Sequence, residues 1–221
     1  MSSLGKFINT SISSLNKILG TNINNLSKFM GENISTYVFK DTFTGNNGSD
    51  PNSTYWDPSQ YFEIQSNQLH GFINNAQGYV SSKFYLANDF DIFVSFNDLI
   101  TGSTTANRIE LITTSSDNEE TCVIGARYKT NLKFVGNIRH SGSWYGEVDG
   151  DALTSDYGEL GVTRIGSTIT LKYKNANGEW TTLTSRTIGT VDLYIKLFIS
   201  SAGGNVSGDF DDFIIDTGTM V

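Results

Sequence analysis

Between Asp89 and Asn97 every second side chain is large and apolar: Phe90, Ile92, Val94 and Phe96 alternate with Asp89, Asp91, Phe93, Ser95 and Asn97. A period of two places those four on one face of an extended strand, whereas on a helix they would scatter around the axis. The segment therefore needs a sheet to lie in and a second layer to cover its dry face. Similar signals recur along the chain. Strands are predicted at Tyr61–Gln65, Leu69–Ile73, Tyr79–Leu86, Asn107–Thr114, Thr121–Lys129, Leu132–Arg139, Ser143–Val148, Leu160–Ile165 and Thr168–Lys174. Asn177-Gly178 is a hairpin signal leading into Trp180-Thr-Thr-Leu-Thr184. Thr190–Ser200 offers Val191, Leu193, Ile195, Leu197 and Ile199 to one face. About twelve strands without an internal helix predict an all-β fold, two antiparallel sheets packed as a sandwich.

Gly208-Asp-Phe-Asp-Asp-Phe-Ile-Ile-Asp-Thr-Gly218 reads as the closing strand, and Tyr37-Val-Phe-Lys-Asp-Thr-Phe43 is its best partner. Pairing them brings the two ends of one unit into a single sheet. The expected organisation is thus an arm at residues 1–36 and a sandwich at residues 37–218. A chain of 221 residues suffices for one such domain and an appendage. The net charge of −8, with Lys and Arg scattered, repels phosphate backbones and argues against nucleic acid as a partner. Cys122 is the single cysteine, so no intramolecular disulfide forms, and in Thr121-Cys-Val-Ile-Gly125 it reads as a small core residue. No stretch has transmembrane length and the start lacks a secretory pattern, so no membrane partner is expected and the chain is read as made in the cytoplasm.

Residues 4–34 repeat every eleven positions without gaps. Leu4, Leu15 and Leu26 correspond, as do Phe7, Ile18 and Phe29, then Ile8, Leu19 and Met30, then Ile12, Ile23 and Ile34. The spacing gives short helical turns an apolar stripe, with Gly20 and Gly31 as stops; a β-turn repeat is the alternative. No unit can bury these side chains alone, so all twelve are expected to form an assembly interface, with copies of the chain as a homo-oligomer or with another protein. The bland alternative is an amphipathic helix lying on its own domain. The units resemble short tandem repeats, Ile-x-x-Leu/Ile-x-Lys-x-x-Gly, found at the starts of many tailed-bacteriophage virion proteins.

The remainder is similar to a concanavalin A-like lectin/glucanase (LamG-like) domain. The likeness rests on Phe39-Lys-Asp-Thr-Phe43 with Trp56, on the Tyr173 to Asn177-Gly-Glu-Trp180-Thr-Thr-Leu183 hairpin, on Leu193-Tyr-Ile-Lys-Leu-Phe-Ile-Ser200 and on Phe210-Asp-Asp-Phe213. It implies a jelly-roll sandwich with Trp56 and Trp180 partly buried in the framework. It also implies a structural calcium ion where the first and last strands meet, with Asp41 and Asp211 as oxygen ligands; alternatively both carboxylates simply face water. Activity does not follow, because the same fold carries lectins, glycosidases, adhesion modules and spacers.

Carbohydrate recognition needs aromatic faces for pyranose rings beside hydrogen-bonding groups. The candidates are Tyr55, Trp144, Tyr145 and Tyr157. Trp144 and Tyr145 are adjacent, so an extended chain puts one toward the core and the other outside. Glu147-Val-Asp149-Gly-Asp151 resembles in part the Glu-x-Asp-x-(x)-Glu signature of retaining glucanases, which would make Glu147 the nucleophile and Asp151 the acid. Asp stands where that pattern has Glu and reaches less far, so a solvated acidic turn is expected and no catalytic residue is assigned. His70 and His140 have no metal-ligand spacing around them and read as polar positions at strand ends. Together these features point to a bacteriophage virion protein, a capsid decoration or tail/fibre component. Its arm would fix it to other virion proteins while its lectin-like body binds polysaccharide. A ligand-free structural subunit and a glycoside hydrolase are the alternatives.

Overall fold

The computed structural model describes residues 37–101, 107–128, 131–175 and 178–221. The eleven-residue repeats and Asn177 lie outside the described residues. Val38–Val221 form one compact unit. Its strands are β1 (Phe39–Asp41), β2 (Trp56–Asp57), β3 (Phe62–Gln65), β4 (Gln68–Asn74), β5 (Gln77–Thr101), β6 (Arg108–Thr114), β7 (Thr121–Tyr128), β8 (Leu132–His140), β9 (Ser143–Trp144), β10 (Val148–Ala152), β11 (Gly158–Ile165), β12 (Thr168–Lys174), β13 (Trp180–Thr187), β14 (Leu193–Ser200) and β15 (Asn205–Met220). No helix occurs among the described residues.

One layer runs β10-β8-β7-β6-β14 and the first part of β5, with β2 beyond it. The other runs β13-β12-β11, the second part of β5, β15, β4 and β3. All pairings are antiparallel, and they run unbroken through both layers because β5 belongs to each. Its Gln77–Leu86 portion pairs with β14, and Phe90–Phe96 pairs with β11. Between them Asn88 adopts a positive φ of 57°. Arg164, only 1% exposed, ties this crossing together. Its Nε donates to the Asn88 carbonyl at 2.5 Å, Nη1 to that of Val191 at 2.5 Å and Nη2 to that of Leu86 at 3.4 Å. The guanidinium also lies 4.9 Å from the Phe90 ring centroid. Burial lowers its affinity for the proton, while Asp192 and Asp89 act the other way.

The inward faces are apolar. Phe90, Ile92, Val94 and Phe96 meet residues such as Leu111, Ile124, Phe134 and Ile138 from the first layer in one continuous core. Cys122 is part of it, and burial pushes its thiol up to about 12. The layers close tightly over Gly136 and Gly150, where an added β-carbon would meet Leu183 and, respectively, Leu171 or Tyr173. Both ends of the unit meet as the sequence predicts, with Phe39 opposite Ile215 and Asp41 opposite Phe213. The Phe39 and Phe213 rings are 6.2 Å apart. Trp56 is fully buried beside them, its indole N–H donating to Asp41 Oδ2 at 2.9 Å.

Several boundaries differ from the sequence reading. The strands expected at Tyr79–Leu86 and Asp89–Asn97 are one, since Asn88 bends the chain without ending its pairing. The strand expected at Ser143–Val148 is two, broken at Gly146 (φ 96°). Asp149 and Asp151 consequently lie on β10 and not in a turn. Val191 precedes β14 and is 45% exposed.

Candidate functional site

With aliphatic residues inside, the alternate residues of β5, β14, β6, β7 and β8 occupy the outer face of the first layer. Register aligns them in rows across the strands: Tyr79, Phe198, Glu110, Gly125, Val135 and Asp149 in one, Ser81, Lys196, Ile112, Val123 and Asn137 in the next. A cavity of about 350 Å³ lies over these rows, from Tyr79 and Lys196 on one side to Trp144 and Glu147 on the other. That is the size of a small-ligand site.

Its floor is charged. Glu110 is 4% exposed. The Arg108 Nε lies 3.2 Å from its Oε1, and the Arg127 guanidinium donates to the neighbouring Glu147 carboxylate. Gly125 gives Glu110 its space, because a β-carbon there would collide with the Ile109 carbonyl and the Glu110 side chain. Burial pushes the Glu110 carboxyl up to about 7; Arg108 and Arg127 pull against it, and Glu147 adds to it. Near neutral pH this group therefore both donates and accepts hydrogen bonds. Asn137 Oδ1 and Arg127 Nε are buried without a hydrogen-bond partner among the described residues. Aromatic faces stand at the sides: Trp144 is 51% exposed and Tyr79 46%. Lys196 Nζ sits 4.7 Å from the Tyr79 ring centroid. Exposed rings flanking buried donors and acceptors suit a polyhydroxylated ring, whose C–H face stacks and whose hydroxyls bond.

The four predicted carbohydrate contacts do not form one site. Trp144 lines the groove, but Tyr145 lies outside its lining, 5.7 Å from the Arg186 guanidinium. Both are about half exposed, contrary to the expectation that one would be core. The two-residue β9 pairs only with the end of β8, so neither of its faces is packed. Tyr55 packs on the core with its ring 4.8 Å from Phe39. Tyr157 is exposed in a separate pocket at the end of the second layer.

Glu147 lines the groove and Asp151 does not; the Asp151 backbone N–H is engaged by the Tyr173 hydroxyl at 3.1 Å. The carboxylate that shares the groove with Glu147 is Glu110. Asp41 lies opposite Phe213 on β15, two residues from Asp211. Asp41 accepts from the Phe43 N–H at 2.8 Å with Oδ1 and from Trp56 with Oδ2. Asp211 lies opposite Ser95 of β5 and accepts from the Asp212 N–H at 2.7 Å; burial pushes its carboxyl up. No group of three or more His, Cys, Asp or Glu side chains among the described residues is arranged for a metal. His70 is within β4, its Nδ1 2.5 Å from Asp209 Oδ1, and His140 closes β8 with Nδ1 2.7 Å from Glu120 Oε1.

Sequence reading missed Tyr79, Arg108, Glu110, Arg127 and Lys196. A usable signal was present in Arg108-Ile-Glu-Leu-Ile112, where charges alternate with aliphatics in a strand otherwise fit for burial.

No family model matches the chain, and no curated protein does. Solved structures are similar. The GH43B protein of the Bacteroides ovatus xyloglucan PUL aligns with 83% of this chain at TM-score 0.64 and 12% identity. This chain covers only 41% of that protein's length. A pseudo β-1,3-glucanase of Mycobacterium tuberculosis aligns over 83% of this chain and 99% of its own, at TM-score 0.62 and 11% identity. The CBM2 module of the evolved Dit of Lactobacillus casei BL23 phage J-1 aligns over 82% and 96%, at TM-score 0.56 and 13% identity. At 11–13% identity the likeness establishes architecture, an all-β antiparallel sandwich of the jelly-roll type seen in glucanases.

Proposed function

We propose that this chain is a virion protein of a bacteriophage whose sandwich binds a glycan in the groove of its first layer. The observation that carries the binding site is the pairing of exposed Trp144 with exposed Tyr79 across a polar floor of buried Glu110 and half-buried Arg108 and Asn137. Glycan-related structural neighbours support it, and so does the fact that one of them is a phage module. The virion role rests on the repeats at residues 4–34, which would join other virion proteins or further copies of the chain. Repetition on a particle makes weak single sites sufficient. Binding to a microarray of surface polysaccharides tests the reading directly. Trp144→Ala and Tyr79→Ala should each weaken binding roughly tenfold, equivalent to about 1.4 kcal/mol. Unaltered binding in both variants would remove the groove from consideration.

A glycoside hydrolase is the second reading, favoured by a carboxyl at about 7 in the same groove as Glu147. That is the pattern of a proton donor beside a second carboxylate. The Arg127 contact weighs against it, because an ion-paired Glu147 is a poorer nucleophile. Release of reducing ends from laminarin or xylan, lost in both Glu110→Gln and Glu147→Gln, would favour hydrolysis over simple binding.

A further inference from the structure

A second cavity, of about 500 Å³, opens at the end of the other layer, where the tail of β5, the approach to β11, the end of β12 and Gly178 meet. Its chemistry is one-sided. Asn97 presents a buried Oδ1 that has no hydrogen-bond partner among the described residues. Asp98 and Asp156 line the same space with exposed carboxylates. Tyr157 offers a ring that is 49% exposed. Among the described residues of the lining the one cation is Lys174, which is engaged by Glu159 at 2.5 Å and lies 5.3 Å from the Trp180 ring centroid. The loop is held in place: the Asp156 carbonyl accepts from the Leu99 N–H at 3.2 Å, and that of Tyr157 accepts from Ser155 Oγ at 3.1 Å. Gly158 pairs with Phe96, and an added β-carbon there would press on the Phe134 and Phe96 rings.

We propose that this end pocket is a second carbohydrate site, which takes a neutral pyranose with its ring on Tyr157 and its hydroxyls donating to Asn97, Asp98 and Asp156. Acceptors in excess require a ligand rich in donors, and they repel phosphate or carboxylate. A single face of tyrosine supplies the apolar contact that distinguishes a sugar from water. The fixed loop limits the ordering cost of binding. This site goes beyond the groove reading and stands even if the groove binds nothing.

Amide chemical-shift mapping on the full chain separates the possibilities. The probes are glucose-, xylose- and galactose-built tetrasaccharides at roughly 10 mM, enough to fill a site of ~1 mM Kd. At least one should shift the amides of residues 97–98 and 156–159 in the parent and equally in Trp144→Ala. Tyr157→Ala should weaken that response roughly tenfold while leaving the thermal melt and any groove shifts unchanged. Asn97→Asp, which keeps the shape but adds charge, reports on the buried acceptor without removing the ring. The proposal is overturned if none of the probes moves these amides, if the response survives Tyr157→Ala, or if calcium chloride without sugar produces the same shifts.

Discussion

Arg164 shows how a single side chain can stabilise a fold through main-chain carbonyls, with no ion pair of its own among the described residues. Its guanidinium meets three carbonyls, from Leu86, Asn88 and Val191, at the place where β5 leaves one layer for the other. Arg164→Met removes these donors; the Leu86 carbonyl is left buried, at about 1–3 kcal/mol, while those of Asn88 and Val191 are part-buried and cost less. The variant should lose about 2–3 kcal/mol, read as a lower urea midpoint at an unchanged m-value. Arg164→Lys should recover little, because an ammonium cannot reproduce the planar fork. Glu110 is the opposite case, a buried acid whose charge is unwelcome. Folding moves its titration from the ordinary 4.5 up to about 7. Below about pH 4.5 both states hold the proton and nothing depends on it; above about pH 7 the folded state bears the full cost of the charge, about 3 kcal/mol. Stability from this group is therefore lost as pH rises through that window. Glu110→Gln should match the parent near pH 4 and exceed it by up to about 3 kcal/mol near pH 8, in paired denaturation profiles. Parallel profiles would mean that Glu110 does not titrate there.

Among the elements, β5 decides the architecture. Its inward positions keep one parity from Val80 through Phe84 and Leu86 to Phe90 and Phe96, interrupted only at the crossing, where Asn88 holds an inward position in the count but is exposed. Local pattern thus revealed the strands but not that one of them serves both layers; the bend resides in Asn88, a residue that tolerates positive φ. Asn88→Gly should be nearly neutral, whereas Asn88→Val should cost on the order of 1–3 kcal/mol by forcing a β-branched residue into the left-handed region. Thermal melts of the pair distinguish backbone strain from loss of the amide. The same limits explain what was legible in the site. Trp144 was visible as an aromatic in a polar loop. Glu110, Arg127 and Lys196 were not, because only sheet register brings β6, β7 and β14 together across long sequence separations. Tyr55 misled because a loop position does not disclose that its ring packs on Phe39.

For the whole molecule, the closure of β1 on β15 sets where the chain can be cut. The pairing begins at Phe39, and Asp41 anchors Trp56, so removal of residues 1–36 spares every hydrogen bond described here, while removal of residues 1–43 does not. The shorter deletion should leave the urea midpoint unchanged. The longer one should expose Trp56 and Phe213 and lower stability by several kcal/mol, in line with about 25 cal/mol per Å² of apolar surface returned to water. If the repeats gather copies on a particle, the shorter deletion should also separate two affinities. Monovalent oligosaccharide binding should be unchanged, but retention on a dense polysaccharide surface should fall by roughly 10²-fold or more, because linked sites gain from effective concentration and not from new contacts. Particle association should vanish in the same variant. Equal retention by the full and shortened chains would show that residues 1–36 do not multiply the binding sites, and the attachment reading of the repeats would then fail while the groove itself stood.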